Sequence, residues 1–290
     1  MKKELIILAL SFPLWLIKML PGENFFLTAD TQERLLGRES YDYRFQYMNT
    51  ISALNAVWEY ITFQENAIGD SAKTAELAYQ LVKDRFAFGE GYARYTLKEN
   101  WLIYLMGKYI WSDFSAKVIP DEIIKHPHAA CSQQSIVLLT LLRSKGYPVR
   151  KIGFKYGHFA LEVYYDEKWH YIDVTYEPVW DFPKCSFEEL CENNMEKLVS
   201  IYSECWPPEE TRAKYQKGYW YGTPDEVIAW KMVLLHRVTQ LISDYLVYVL
   251  LLIVVFQWIR KKIIPFIKVS PKISVKHISQ LVCIGFLLCL

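Results

Sequence analysis

Residues 126–178 read HPHAACSQQSIVLLTLLRSKGYPVRKIGFKYGHFALEVYYDEKWHYIDVTYEP. Three side chains in this stretch fall on separable elements: Cys131 at the head of an apolar run, His158 just after Gly157, and Asp173 close to the end. A thiol, an imidazole and a carboxylate are the parts needed to make and orient a nucleophilic cysteine. Residues 131–144 predict a helix whose Ile136, Val137, Leu138, Leu139, Leu141 and Leu142 are apolar on nearly every side, so it belongs at the centre of the fold. Gly146 and Pro148 end it. Cys131 then sits in the first turn, where unpaired N–H groups and the helix dipole favour a thiolate. An inert buried cysteine is the plainer alternative.

The residues that follow predict strands at 149–154, 158–165 and 168–174, the last two joined by Asp166-Glu167. A two-residue loop there would pair 165 with 168 and, running back, 160 with 173. His158 and Asp173 become diagonal neighbours on one face, with Cβ atoms about 7 Å apart. Phe159, Leu161, Val163, Ile172 and Val174 then share the opposite, buried face. Asp-Glu is a poor pair for such a turn. Glu162 falls opposite Tyr171 and reads as structural, and His170 reads as a satisfied core histidine on the apolar face. Gln133 and Gln134, in the first turn after Cys131, are candidates for a second oxyanion donor, with solvation or capping as the plainer role.

Outward from the centre, residues 23–120 read as the helical N-terminal part of the domain after a mixed connection. Met48, Ile51, Leu54, Val57, Trp58 and Ile61 recur at helical spacing. Asp70 can cap a second helix ending at Gly89 and Gly91, and residues 95–111 give a third. The catalytic core and its following loop region span 121–222. Past Pro178 the chain reads as irregular, with Cys185, Cys191 and Cys205; outside the cytoplasm two of them can pair, leaving the third free, and the sequence does not say which. Thr223-Pro224-Asp225-Glu226 has the cap, first-position proline and third-position acid of a helix start, leading through 223–259 into a membrane span.

Residues 1–22 carry Lys2 and Lys3 before an apolar run over 5–17 and predict a signal anchor or transmembrane helix. Residues 241–258 form a second apolar run, with Tyr245, Tyr248 and Trp258 as interfacial anchors and Arg260, Lys261 and Lys262 following. Asp244 lies near enough to its end to reach the headgroups. With the basic residues of both segments and of the loop 260–277 kept inside, the domain faces away from the cytoplasm. Residues 278–290 form a further, shorter membrane segment. Lys and Arg total 33 against 32 Asp and Glu, a balance that offers no field for nucleic acid. The 21 tyrosines read as packing residues, with sugar stacking as the alternative.

Three blocks together resemble the transglutaminase-like superfamily of papain-related cysteine enzymes. The helix from Cys131 with Leu142-Arg143-Ser144-Lys145-Gly146-Tyr147-Pro148-Val149-Arg150 is similar to that family's helix, glycine turn and following strand. Gly157-His158-Phe159-Ala160-Leu161-Glu162-Val163 resembles its histidine strand, and Trp169-His170-Tyr171-Ile172-Asp173-Val174-Thr175 its aspartate strand. The resemblance covers roughly residues 75–178. Ala129 stands where a glycine is frequent, and Ser132 where cross-linking enzymes carry an aromatic, which speaks against protein cross-linking in particular. No acidic cluster has the spacing of an EF-hand loop.

The resemblance implies an α+β fold: a central helix carrying the cysteine on an antiparallel sheet, here with N-terminal helices and flanking transmembrane helices. It implies a Cys131-His158-Asp173 triad that forms a thioester with a peptide, protein or amide-containing polymer and passes the acyl group to water or an amine, with no cofactor. Two rivals stand beside it. His126, His128, Cys131 and His158 are ligand types zinc accepts, although their spacing matches no common zinc pattern. The same fold can also serve as a catalytically inactive, membrane-tethered binding or scaffold module.

Overall fold

The computed structural model describes residues 2–22, 42–87, 92–176, 185–193, 195–203, 205–226 and 228–269. Helices and strands alternate in the order α1 (Lys2–Met19), α2 (Ile51–Gln64), α3 (Ser71–Arg85), α4 (Trp101–Tyr109), α5 (Pro120–Ile123), α6 (Cys131–Ser144), β1 (Val149–Phe154), β2 (His158–Tyr165), β3 (Lys168–Ile172), α7 (Phe187–Asn193), α8 (Met195–Ile201), α9 (Pro208–Gln216), β4 (Tyr219–Tyr221) and α10 (Trp230–Val269). The fold is thus mixed helix and sheet. The connection at 23–41, Gly89 and Gly91, Pro178, and residues 270–290 with the expected further membrane segment lie outside the described residues.

The chain divides into two compact units. The larger comprises Gly22–Thr96 and Ile103–Arg237. Its sheet is antiparallel throughout, in the order β3-β2-β1-β4. The β2–β3 hairpin pairs Tyr165 with Lys168, Tyr164 with Trp169 and so on to Leu161 with Ile172, the register expected from the alternation. Asp166 and Glu167 both adopt positive φ, 48° and 60°, as a type I′ turn requires. The apolar alternation of the two strands therefore sets the register although the turn residues are poor for it.

Leu161, Val163, Ile172, Val174 and Val149 share one buried cluster with Val137, Leu138, Leu141 and Leu142 of α6. Leu54 and Trp58 of α2 and Ala78 and Val82 of α3 complete that cluster. Asp70 caps α3 by accepting from the Lys73 N–H at 2.8 Å, and Thr50 caps α2 through Ala53. Gly146, at φ 80°, turns the chain from α6 toward β1. The second buried cluster gathers Ile152, Phe154, Ala160 and Tyr171 of the sheet with Phe187, Leu190, Leu198, Ile201, Tyr202 and Tyr215 from α7 to α9 and their connections. These helices occupy the region expected to be irregular. In β1, Gly153 pairs with Trp220, whose indole occupies the space a Cβ would need.

Two expectations are corrected. Thr223–Glu226 starts no helix: it is a turn, with Asp225 at φ 58°, and α10 begins only at Trp230. Asp225 is held instead by β1 and α6, its N–H donating to Val149 O at 2.9 Å and its carboxylate lying 3.4 Å from the Arg143 guanidinium. Cys185, Cys191 and Cys205 form no disulfide with one another, and Cys205 Sγ donates to Tyr176 O at 2.8 Å.

The smaller unit comprises Met1–Pro21, Leu97–Leu102 and Val238–Leu290. One described helical stretch, Trp230–Lys261, is long and apolar enough to cross a membrane, and α1 contributes a shorter apolar stretch, Leu5–Met19. Lys18 Nζ and Asp244 Oδ1 form an ion pair at 2.5 Å. Asn100 donates to Thr239 Oγ1 at 3.0 Å and accepts from Ser243 Oγ at 2.9 Å, while Gln240 donates to Glu99 O at 2.8 Å.

Candidate active site

Cys131 is the first residue of α6, and it is half-buried. The first helical hydrogen bonds at this end come from the Gln133 and Gln134 N–H groups to Ala130 O, at 2.8 and 2.9 Å. The N–H groups of Cys131 and Ser132 therefore have no intrahelical acceptor and carry the positive end of the helix dipole. One turn along the same face, Ser135 Oγ donates to Phe159 O at 3.3 Å and ties the helix to the start of β2 beside His158.

His158 is 1% exposed. Phe154 and Tyr156 stack near-parallel on its ring at centroid distances of 5.6 and 5.8 Å, and Tyr176 covers it at 4.4 Å. Its Nε2 lies 2.8 Å from Asp173 Oδ2. An ionised carboxylate only accepts, so Nε2 carries a proton, and in the neutral ring Nδ1 is the free base. Nδ1 meets no partner at hydrogen-bond geometry, and Cys131 lies near enough to the ring to act on its charge. Burial disfavours the imidazolium, but Asp173 and then Cys131 outweigh it and raise His158 to about 9.

Asp173 is fully buried and its carboxylate accepts four hydrogen bonds. Oδ2 takes His158 and the Tyr202 hydroxyl at 2.7 Å, and Oδ1 takes the backbone N–H groups of Thr175 and Tyr176 at 3.0 and 3.3 Å. Burial pushes its pKa up, but the imidazole and these donors outweigh that and hold it below the usual carboxylate range. The structure thus brings His158 and Asp173 into direct contact, with Cys131 near enough to act on the imidazole.

Gln133 is engaged throughout: Nε2 donates to Ala93 O and Lys117 O, both at 2.8 Å, and Oε1 accepts from Ala93 N and Ala130 N. It leaves no N–H for an oxyanion and instead fastens residues 93 and 117 to the helix start. Gln134 is buried and donates to Ala129 O at 2.8 Å. Tyr92, on the segment that Gln133 fastens, lies close enough to Cys131 for the charge of a thiolate to act on its phenol.

Glu162 is a structural acid, bonded to Arg150 at 2.6 Å and to the Phe187 N–H at 2.6 Å. His170 stacks on Tyr165 at 3.7 Å in the core. Among the described residues no three His, Cys, Asp or Glu side chains converge as a metal-ligand group. His126 Nε2 lies 2.8 Å from the buried Lys117 ammonium; burial and that charge lower it to about 2. His128 Nδ1 faces Ala87 O at 3.1 Å. The donor set proposed for zinc is therefore spent on other contacts, with a cation beside one member.

Tyr202, Tyr176 and Tyr156 complete the site and carry no local signal in the sequence. Their only trace there is the aromatic density of the chain, since the residues that surround His158 come from four separate segments. Neither models of known protein families nor curated protein sequences give a match to this chain.

Proposed function

We propose that this chain is a membrane-anchored cysteine enzyme of the transglutaminase-like kind, built on a papain-like core, which transfers or hydrolyses acyl groups through a Cys131 thioester. The observation that carries this reading is the His158 ring, bonded to a four-times-anchored Asp173 and near enough to the Cys131 thiol to feel it.

The chemistry follows from the proton positions. Cys131 Sγ attacks the acyl carbon of an amide while His158 Nδ1 holds its proton. Asp173 orients the ring and stabilises the imidazolium without taking the proton. The N–H groups at the start of α6 receive the developing oxyanion. Collapse breaks the C–N bond, and the amine leaves with the proton from His158. Water or a second amine then attacks the thioester, gives its proton to His158, and expels the Cys131 thiolate. The substrates are peptides, proteins or amide-containing polymers; the near-equal count of basic and acidic residues gives no net field for nucleic acid.

The apolar stretch of α10 crosses a bilayer and α1 accompanies it. The Lys18–Asp244 ion pair joins the C-terminal end of α1 to the first half of α10. As many residues separate Lys2 from Lys18 as separate Asp244 from Arg260, about 24 Å of helix in each case. The basic groups Lys2-Lys3 and Arg260-Lys261 thus fall equally far along their helices from that pair. On the positive-inside rule we take the basic ends as cytoplasmic and the domain as facing away from the cytoplasm.

The test uses the detergent-solubilised full chain and p-nitrophenyl acetate as acyl donor, with intact and peptide mass spectrometry. The reading expects a hydroxylamine-labile acetyl adduct on Cys131, absent in Cys131→Ala and slowed in His158→Ala. Acetylation that is no faster at Cys131 than at Cys185 or Cys205 overturns it and leaves a binding or scaffold module.

A further inference from the structure

We propose that Tyr202, with Tyr171 behind it, is a positioning residue that aims and polarises the Asp173 carboxylate toward His158. The inference rests on the acyl-transfer reading for its functional meaning, but its geometry stands alone.

Asp173 Oδ2 is shared by two donors, His158 Nε2 at 2.8 Å and Tyr202 Oη at 2.7 Å. Tyr202 and Tyr171 hydroxyl oxygens are 2.6 Å apart. A phenol has one proton. The carboxylate can only accept, so the Tyr202 proton points at Asp173, and the Tyr171 proton must point at Tyr202. The order Tyr171 to Tyr202 to Asp173 is then fixed, and each bond strengthens the next in a site closed to water. All three side chains are 0–1% exposed.

The chain also explains a choice of rotamer. Oδ1 is held by the Thr175 and Tyr176 N–H groups, which pin one oxygen to the backbone turn after β3. Tyr202 holds the other oxygen at the position where it meets the imidazole. Tyr202 arrives from just beyond α8, packed against Trp206 at 5.4 Å and Tyr215 at 5.3 Å, so the helices beyond the sheet are what deliver it. Tyr171 lies two residues before Asp173, on the same face of the hairpin.

A second donor on Oδ2 draws charge away from the oxygen that faces His158. Removing it leaves more negative charge on the oxygen that faces the imidazole, so the imidazolium should persist to higher pH. A residue that only fills space would not move this titration.

The experiment follows His158 by NMR in the full chain with isotope-labelled histidine, across pH 6–11, in Tyr202→Phe, Tyr171→Phe and Tyr215→Phe. Tyr215 is buried in the same aromatic cluster, but its hydroxyl makes no hydrogen bond to Asp173 and stands outside the Tyr171–Tyr202–Asp173 chain, so it is the packing control. The expected result is an upward movement of the His158 midpoint by about half a pH unit or more in Tyr202→Phe, a smaller one in Tyr171→Phe, and none in Tyr215→Phe. If Tyr202→Phe fails to fold, Tyr171→Phe carries the test. A midpoint unchanged in the folded variants, or moved equally by Tyr215→Phe, overturns the proposal. The titration is read on the ring itself, so it holds or fails independently of whether the chain turns over an acyl substrate.

Discussion

His158 Nε2 and Asp173 Oδ2 lie 2.8 Å apart, with both side chains shut off from solvent. The pair links stability to pH from both ends. His158 is raised in the folded chain to about 9, so its contribution is complete below its ordinary range near 6.5 and fades as pH rises through about 9. Asp173 is lowered, so its contribution is present above the ordinary carboxylate range and is lost as pH falls through its depressed value. The urea midpoint of the solubilised chain should therefore decline on the alkaline side between about pH 7 and 10. His158→Gln should flatten that alkaline limb.

Glu162 separates structure from chemistry. Its carboxylate is buried between the Arg150 guanidinium and the Phe187 N–H, and Arg150 is itself stacked between Trp169 and Tyr221 at 4.3 and 3.9 Å. Glu162→Ala leaves a cation and an amide unmatched and should cost about 3–5 kcal/mol in denaturant unfolding. The alkylation rate of Cys131 in the folded fraction should stay at the wild-type value.

Gln133→Ala removes four hydrogen bonds from buried backbone groups at 93, 117 and 130. With each orphaned group worth about 1–3 kcal/mol, a loss of at least about 3 kcal/mol is expected. Hydrogen exchange should accelerate at the Ala93 and Ala130 amides first.

Some of this site was legible before any coordinates. Leu138, Leu141 and Leu142 announce a central helix, and the strict alternation from His158 to Tyr165 and from Lys168 to Ile172 sets a register that even Asp166-Glu167 obeys. That register alone brings His158 to Asp173. Tyr202 was not legible, because nothing near it in the chain says that it returns to Asp173. The helix expected at Thr223 failed for a long-range reason: Val149 and Arg143 capture Asp225. Gln133 is the instructive middle case, since a helix-start glutamine looks alike whether it faces substrate or holds three backbone segments.

Orientation in the membrane has its own check. Glu167 is exposed at the tip of the β2–β3 hairpin. A Glu167→Cys chain should react with a membrane-impermeant maleimide in intact cells, beyond the background of the native thiols. Labelling that appears only after lysis reverses the orientation.

The most direct measurement is the rate at which iodoacetamide alkylates each cysteine of the folded chain near pH 7. Burial pushes the Cys185 thiol up and the Cys191 thiol to about 12, so both should react slowly. Cys131 should be alkylated at least about ten times faster than Cys185, Cys191 or Cys205, and His158→Ala should remove that advantage. A Cys131 that labels no faster than Cys185 or Cys205, or that ignores the loss of His158, contradicts the thiol–imidazole–carboxylate account.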